Sequence, residues 1–79
     1  MEVIGYKNGQ RIQRSEDDLN YLEIDITKDF VREYRYKESN SESRIEIDFT
    51  NPDSPEYKLI NVSEEFRELF YKEFYTRKN

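Results

Sequence analysis

Side chains able to perform covalent chemistry are scarce in this chain, and carboxylates dominate them. The 79 residues include no cysteine and no histidine, and only two glycines, Gly5 and Gly9. A Ser–His or Cys–His catalytic pair cannot form, and no glycine-rich loop is present to cradle a phosphate. Disulfides and the usual zinc sites are excluded for the same reason. We therefore expect no enzyme activity and no cofactor, unless carboxylates alone supply the chemistry.

Carboxylate chemistry is the one reaction class left to weigh, because the chain has 18 acidic residues. Glu23 and Asp25 are two positions apart, as are Glu46 and Asp48, so on a strand each pair would share one face at about 6–7 Å. That separation is near the one used by paired carboxylates in glycoside hydrolysis. However, so small a domain has little room for a substrate cleft. A solvated strand face is the favoured interpretation.

A run of acidic residues, Glu16, Asp17 and Asp18, raises the question of a cation site. Such carboxylates attract hard cations, but the ligand spacing and the central glycine of an EF-hand loop are missing. We expect no dedicated metal site.

Basic and aromatic residues interleave in one segment. The residues are Arg32, Tyr34, Arg35, Tyr36 and Lys37. This mixture suits single-stranded nucleic acid, because bases stack on aromatic rings while cations meet phosphates. The net charge of −5 and a pI near 4.8 oppose it, since nucleic-acid-binding domains are usually basic. A core strand with a charged outer face is favoured, and a nucleic-acid-binding accessory domain is the alternative.

Alternating polarity predicts three strands at the centre of the chain. In 21–27 and 44–50 every second residue is apolar, which is typical of half-buried strands. The segment 30–37 would lie between them, because Arg35 and Lys37 would then separate two acidic strands. We expect these strands to form a meander, with the proline-containing segment 51–55 as a turn.

Two further features concern the strands. Asn8-Gly9 between 3–7 and 10–14 predicts a hairpin with a type I′ turn.

Residues 22–36 and 45–59 also align without gaps at an offset of 23. Chance and a shared strand pattern are the favoured explanation of this similarity. The alternative is a duplicated hairpin, which predicts a further strand at 57–62.

From Ser63 onward, the apolar residues recur with the period of an α-helix. The apolar positions that share one helix face are Phe66, Leu69, Phe70 and Phe74. Ser63 is a good N-cap for this helix. We therefore predict a single α+β domain over 1–79, in which a small antiparallel sheet is packed by one C-terminal amphipathic helix. The sheet would comprise the N-terminal hairpin and a three- or four-stranded meander.

A protein partner is the favoured functional hypothesis. The chain has more aromatic residues than a small core needs, and aromatics are enriched at interfaces. We expect a non-enzymatic interaction module, a small acidic inhibitor or regulator of a larger protein such as a nucleic-acid-handling enzyme. The predicted partner-binding residues are Glu23, Asp25, Glu46, Asp48, Tyr71 and Tyr75. The alternative is that the acidic surface only keeps the protein soluble.

The cellular setting is predicted from absences and from composition. No apolar run approaches the ~20 residues that a membrane span needs, and the first residues lack the apolar core of a signal peptide. We expect a cytoplasmic protein that does not bind membranes. A composition rich in Lys, Asn, Glu and Tyr is typical of an AT-rich bacterium or its phage.

Overall fold

The structure of the chain is a computed structural model, which describes residues 1–12, 18–34 and 42–74. These residues form two strand pairs, each followed by a helix. In chain order the elements are β1 (Glu2–Lys7), β2 (Gln10–Arg11), α1 (Asp18–Tyr34), β3 (Arg44–Asp48), β4 (Glu56–Ile60) and α2 (Glu64–Phe74). The strands form one sheet in the order β2-β1-β3-β4. The α+β class is confirmed, with two helices in the described residues where one was predicted.

The sheet is mixed, so the prediction of an antiparallel sheet is wrong. β1 and β3 are parallel neighbours at its centre, and β2 and β4 pair antiparallel with them on the outside. The central register sets Val3 beside Ile45 and Gly5 beside Ile47. β1 therefore extends the apolar face of β3, which is the position that the predicted meander gave to 30–37.

The N-terminal hairpin is confirmed. Asn8 and Gly9 have φ values of 53° and 79°, the left-handed conformation that a type I′ turn requires at both central residues. Beyond the two residues of β2, the Ile12 N–H donates to the Gly5 carbonyl at 2.9 Å. Residues 13–14 of the predicted second strand lie outside the described residues.

The segment 21–34 is helical, so the strands predicted there are wrong. Ile24, Thr27 and Phe30 recur at a helical spacing, and all three are buried. The Thr27 hydroxyl donates to the Glu23 carbonyl one turn earlier at 2.9 Å, which satisfies its polar group inside the core. Alternation in the sequence assigned Thr27 to the polar side, and this concealed the helical period.

Gly5 allows α1 to approach the sheet closely. A Cβ atom at this position would lie 2.6 Å from Ile24 Cδ1 and 3.3 Å from Phe49 Cε2. The first distance is shorter than any ordinary contact between carbon atoms. The glycine that weakens β1 as a strand therefore provides the space into which Ile24 packs.

The second strand pair follows the prediction for 44–55. Ile45, Ile47 and Phe49 are buried on one face. In the turn after β3, the Ser54 N–H donates to the Asn51 carbonyl at 3.0 Å, and the Asp53 N–H donates to Asn51 Oδ1 at 3.2 Å. The alternative of a duplicated hairpin is wrong, because the described part of 22–36 is helical whereas 45–48 is a strand. The further strand that it predicted at 57–62 is nevertheless present in large part, as β4.

The C-terminal helix is confirmed as α2. The Ser63 hydroxyl accepts a hydrogen bond from the Phe66 N–H at 3.1 Å, as an N-cap does. Phe66, Phe70 and Phe74 are buried. Their ring centroids lie 5.3–5.7 Å from that of Phe30 on α1, in edge-to-face contacts. The aromatic residues therefore join the two helices to each other, and the phenylalanines are used in the core.

Candidate interaction surface

One face of the sheet is covered by α1 and α2, and neither of these helices packs on the other face, where Ile4 is nevertheless buried. The core cluster joins α1 and α2 side chains to one set of alternating strand residues, including Ile45, Ile47 and Leu59. Alternation places the remaining strand residues on the opposite face. We call it the open face, and its members are Glu2, Ile4, Tyr6, Arg11, Arg44, Glu46, Asp48, Glu56, Lys58 and Ile60.

An acidic groove occupies one end of the open face. Cross-strand pairing aligns Tyr6 with Asp48 and Asp48 with Glu56, while Glu46 lies opposite Lys58. These five residues line a shallow depression of about 470 Å³, which we call the acidic groove. Three carboxylates and one lysine give it a negative charge.

Two like charges face each other in this groove. Asp48 and Glu56 are direct cross-strand partners in the antiparallel β3–β4 pair, and both are exposed. Like charges at such positions destabilise a sheet, because the side chains are nearest neighbours on one face. The fold therefore contains an unfavourable pair of exposed side chains on the open face.

Thr50 favours the ionised form of Asp48. Its Oδ1 atom accepts hydrogen bonds from Thr50 Oγ1 at 2.6 Å and from the Thr50 N–H at 2.9 Å. The side-chain hydrogen bond and then the backbone one lower the pKa of Asp48, and they outweigh the small opposing effect of desolvation. The Asn8 N–H donates to Thr50 Oγ1 at 2.9 Å, which links this carboxylate to the β1–β2 turn.

Glu46 is partly neutralised by its neighbours. Its Oε2 atom lies 2.8 Å from Arg44 Nε, in a salt bridge along the same strand. Lys58 lies across from it on β4. The remaining negative charge of the acidic groove is therefore concentrated at Asp48 and Glu56.

The structure separates the acidic residues that the sequence analysis grouped together. Glu46 and Asp48 lie on the open face, but Glu23 and Asp25 belong to α1 on the other side of the sheet. The Glu23 carboxylate accepts a hydrogen bond from the Tyr57 hydroxyl. The single acidic strand face predicted for all four residues is therefore wrong, because 21–27 is helical.

The two tyrosines predicted at the partner surface have different outcomes. Tyr71 is half-buried on α2, with its hydroxyl 3.4 Å from Arg67 Nη1 and its ring 6.2 Å from that of Phe70. Tyr75 lies outside the described residues. A role for Tyr71 and Tyr75 in partner binding stays a prediction.

The residues of the alternative nucleic-acid site do not lie on a strand as far as they are described. Arg32 and Tyr34 belong to the last turns of α1. Arg32 Nη2 lies 3.1 Å from Asp29 Oδ1, and the Tyr34 ring packs 4.5 Å from that of Phe30. Arg35, Tyr36 and Lys37 lie outside the described residues, so nucleic-acid binding stays a prediction.

Metal-binding clusters and membrane spans are both missing from the described part of the chain. Over 1–12, 18–34 and 42–74, no three acidic side chains converge to hold a metal ion. Of the acidic run considered for a cation, only Asp18 is described, at the start of α1. Neither α1 nor α2 is both long and apolar enough to cross a bilayer.

Three members of the acidic groove are not among the predicted site residues, namely Tyr6, Glu56 and Lys58. Tyr6 was assigned to the hairpin with no prediction of its neighbours, and its place beside Asp48 depends on the β1–β3 pairing. The other two residues could have been found, because the 51–55 turn joins two segments that must then pair. Counting outward from that turn puts both residues on the face of Asp48, but it pairs Glu56 with Thr50, whereas the structure pairs Glu56 with Asp48.

Comparisons with models of known protein families, with curated proteins and with solved structures gave no match to this chain. No family membership follows, and the chemistry of the open face is the guide to function.

Proposed function

We propose that this chain is a non-enzymatic protein-interaction module that binds a basic surface of a larger protein through the acidic groove. The observation that supports this most directly is the like-charge pair Asp48–Glu56 on the open face. Natural sequences tend to break local rules of stability at functional sites, where a partner compensates for the cost. An arginine or lysine placed between these carboxylates would do so.

The chemistry around the pair favours a cationic partner. Asp48 is ionised at neutral pH, and the two hydrogen bonds from Thr50 favour that form further, so its negative charge is present before a partner arrives. Tyr6 lies beside it as a half-buried ring, and tyrosine contributes contact area at interfaces with little entropy loss. A charged rim around an aromatic residue is a common arrangement in protein interfaces.

In its more specific form, the proposal is that the module acts as a small inhibitor or regulator of a nucleic-acid-handling protein. Carboxylates at strand spacing are suited to a basic channel that normally receives phosphates. Association should then be steered by charge and should weaken as salt rises.

The test is affinity capture of partners from cells that express the chain, using isosteric charge removal. In the double variant Glu46→Gln and Asp48→Asn, the side chains keep their shape, and the amide oxygen introduced at position 48 can still accept the hydrogen bonds from Thr50. We expect recovery of the partner to fall at least about tenfold, since two charge-assisted contacts are lost. Raising the salt concentration should have the same effect on the wild type.

A matched control removes the same number of charges from α1. Asp29→Asn with Glu33→Gln changes two exposed carboxylates on the helix-covered side, away from the acidic groove. This variant should capture the partner as well as the wild type does. Equal losses in both double variants would show a general charge effect, and no loss in the first would refute the role of the acidic groove.

A further inference from the structure

The outer edge of β1 is only partly covered by β2. The Glu2 N–H and the Tyr6 carbonyl both form hydrogen bonds on the β3 side. Because the backbone groups of alternate residues in a strand point to opposite edges, those of Val3 and Gly5 point away from β3. The Gly5 carbonyl accepts a hydrogen bond from the Ile12 N–H, but the N–H and C=O of Val3 have no hydrogen-bond partner among the residues that the structure describes. One strand-pairing position at this edge is therefore open.

A groove with three basic side chains lies beside this open position. It has a volume of about 390 Å³, and residues of β1, β2 and α1 line it. We call it the basic groove, and its lining includes Glu2, Val3, Arg11, Lys28, Val31 and Arg32. Three cations and one carboxylate give it a positive charge, whereas the whole chain has a net charge of −5.

The basic side chains of the groove are accessible to a ligand. Arg11 and Lys28 are exposed, and neither forms an ion pair with any other described residue. Arg32 lies 3.1 Å from Asp29, but the two side chains are 75% and 68% exposed, and such a surface pair is weak in water. Lys28 and Arg32 are one helical turn apart, so both can contact the same ligand.

Two valines give the basic groove an apolar wall. Val3 and Val31 are both half-buried and pack against the hydrophobic core. An antiparallel segment added at the edge of β1 would place one residue opposite Val3 and exchange both backbone hydrogen bonds with it. The side chain of that residue would point to the Val31 side of the groove. Its neighbours along the segment would point to the open face, on which Arg11 lies.

We propose that the basic groove binds a short, extended, acidic segment of another protein, which adds to the edge of β1 as a further strand. Charge complementarity selects this occupant, because Arg11, Lys28 and Arg32 favour carboxylates. The open N–H and C=O of Val3 favour a peptide backbone, since a phosphate or a free carboxylate would leave the C=O without a donor. The proposal goes beyond the proposed function and does not depend on it, because it concerns another surface and a partner of opposite charge.

Amide hydrogen exchange at Val3 gives the first test. In the free protein, the Val3 N–H should exchange faster than the Ile4 N–H, which points towards β3. The probe is a pentapeptide of alternating glutamate and valine, acetylated and amidated at its ends. At saturation we expect it to slow Val3 exchange at least about tenfold, because the N–H becomes part of a ladder. The same peptide with N-methylated valines has the same charge but cannot pair, so it should leave Val3 exchange unchanged.

The double variant Lys28→Gln with Arg32→Gln tests the charges. Both residues are exposed on α1 and glutamine is a good helix former, so the variant should fold like the wild type. Its affinity for the unmethylated peptide, measured by NMR titration, should fall at least about tenfold, because two favourable charges are lost. The matched control, Lys58→Gln with Lys72→Gln, removes two exposed cations elsewhere and should bind the peptide like the wild type.

Several outcomes would overturn the proposal. One is a Val3 N–H that is already protected in the free protein. Others are equal affinity of the Lys28 and Arg32 double variant and the wild type, equal losses in the two double variants, or equal binding of the methylated peptide. Inorganic phosphate that slows Val3 exchange as strongly as the peptide does would also refute strand addition and show a site for anions alone.

The outcome is separable from that of the partner-capture experiment. Glu46→Gln with Asp48→Asn changes the acidic groove and leaves the basic groove intact, so this variant should bind the peptide like the wild type even if it loses its partner. Failure of strand addition would leave the acidic groove as a candidate surface.

Discussion

Thr50 is the residue on which the geometry of the acidic groove depends most. Its hydroxyl donates to Asp48 and accepts from the Asn8 N–H, so a single side chain joins the end of β3 to the β1–β2 turn. Its own N–H makes the second hydrogen bond to Asp48. The carboxylate is thereby fixed in direction, and its ionised form is favoured, although it is exposed to solvent.

Replacing this hydroxyl should change how Asp48 titrates. The folded pKa of Asp48 is lowered, so its hydrogen bonds with Thr50 stabilise the fold above the unfolded pKa, and this contribution is lost as pH falls through the folded pKa. In Thr50→Val we expect the Asp48 pKa to rise towards its ordinary value and the acid side of the stability profile to flatten. NMR titration of the Asp48 carboxyl carbon measures the first effect, and denaturant unfolding across acidic pH measures the second.

Thr50→Ser is the matched control for that experiment, because serine keeps the hydroxyl that donates to Asp48. Its titration should follow the wild type. An Asp48 pKa that is unchanged in Thr50→Val would show that the backbone N–H alone lowers it.

At the scale of elements, two nearly identical segments adopt different structures. LEIDIT at 22–27 lies within α1, whereas IEIDFT at 45–50 forms β3 and the residues after it. Local polarity alternates in both, so periodicity alone predicts strands in both places. The flanking residues differ: Pro52 and Pro55 follow the second segment and oppose a helix, while no proline or glycine follows the first up to the end of α1.

This difference explains why only part of the fold could be predicted from the sequence. The β1–β2 turn, β3, the 51–55 turn and α2 each have a local signal, such as Asn8-Gly9 or the Ser63 cap, and they were correctly predicted. The helix α1 depends on the burial of Thr27 and on the space above Gly5, both of which arise only in the packed molecule. The acidic groove was half predicted, through Glu46 and Asp48, because its other members join by strand pairing.

The contact between α1 and β1 can be tested by a double-mutant cycle at Gly5 and Ile24. Gly5→Ala should destabilise the fold by about 1–3 kcal/mol, since the new methyl overlaps the Ile24 side chain. Ile24→Val alone should cost about 0.5–1.5 kcal/mol, because it removes buried Cδ1. The double variant should lose less than the sum, because the atom that clashes is gone. Urea unfolding of the wild type, the two single variants and the double variant measures the four free energies of unfolding. Strict additivity of the losses would contradict the predicted overlap.

At the scale of the whole molecule, stability depends on one aromatic cluster between the helices and the sheet. Phe30 has edge-to-face contacts with three phenylalanines of α2, and Tyr57 extends the cluster down to β4, where its ring lies 5.2 Å from that of Phe70. Such contacts add to the free energy gained from burying the rings. The free energy of unfolding of a small domain is low, so the loss of one ring should remove a large fraction of it.

We therefore predict that Phe30→Ala lowers the free energy of unfolding by about 3–5 kcal/mol, a large part of the total for a small domain. The matched control is Tyr34→Ala, which removes a ring that packs on Phe30 but is 39% exposed. It should lower the melting temperature by far less. Circular dichroism on heating distinguishes the two, and similar losses would show that the cluster is not centred on Phe30.

The parallel β1–β3 pair also governs the order in which the molecule can assemble. Each hairpin closes over a short turn, but the centre of the sheet joins segments that are far apart in sequence, as in the Asn8–Thr50 hydrogen bond across 42 positions. Closing so long a loop costs conformational entropy before the stabilising contacts between the strands have formed, so such pairings form slowly. We therefore expect the pairing of β1 with β3 to be a late step of folding. This pairing completes the acidic groove, because it brings Tyr6 beside Asp48.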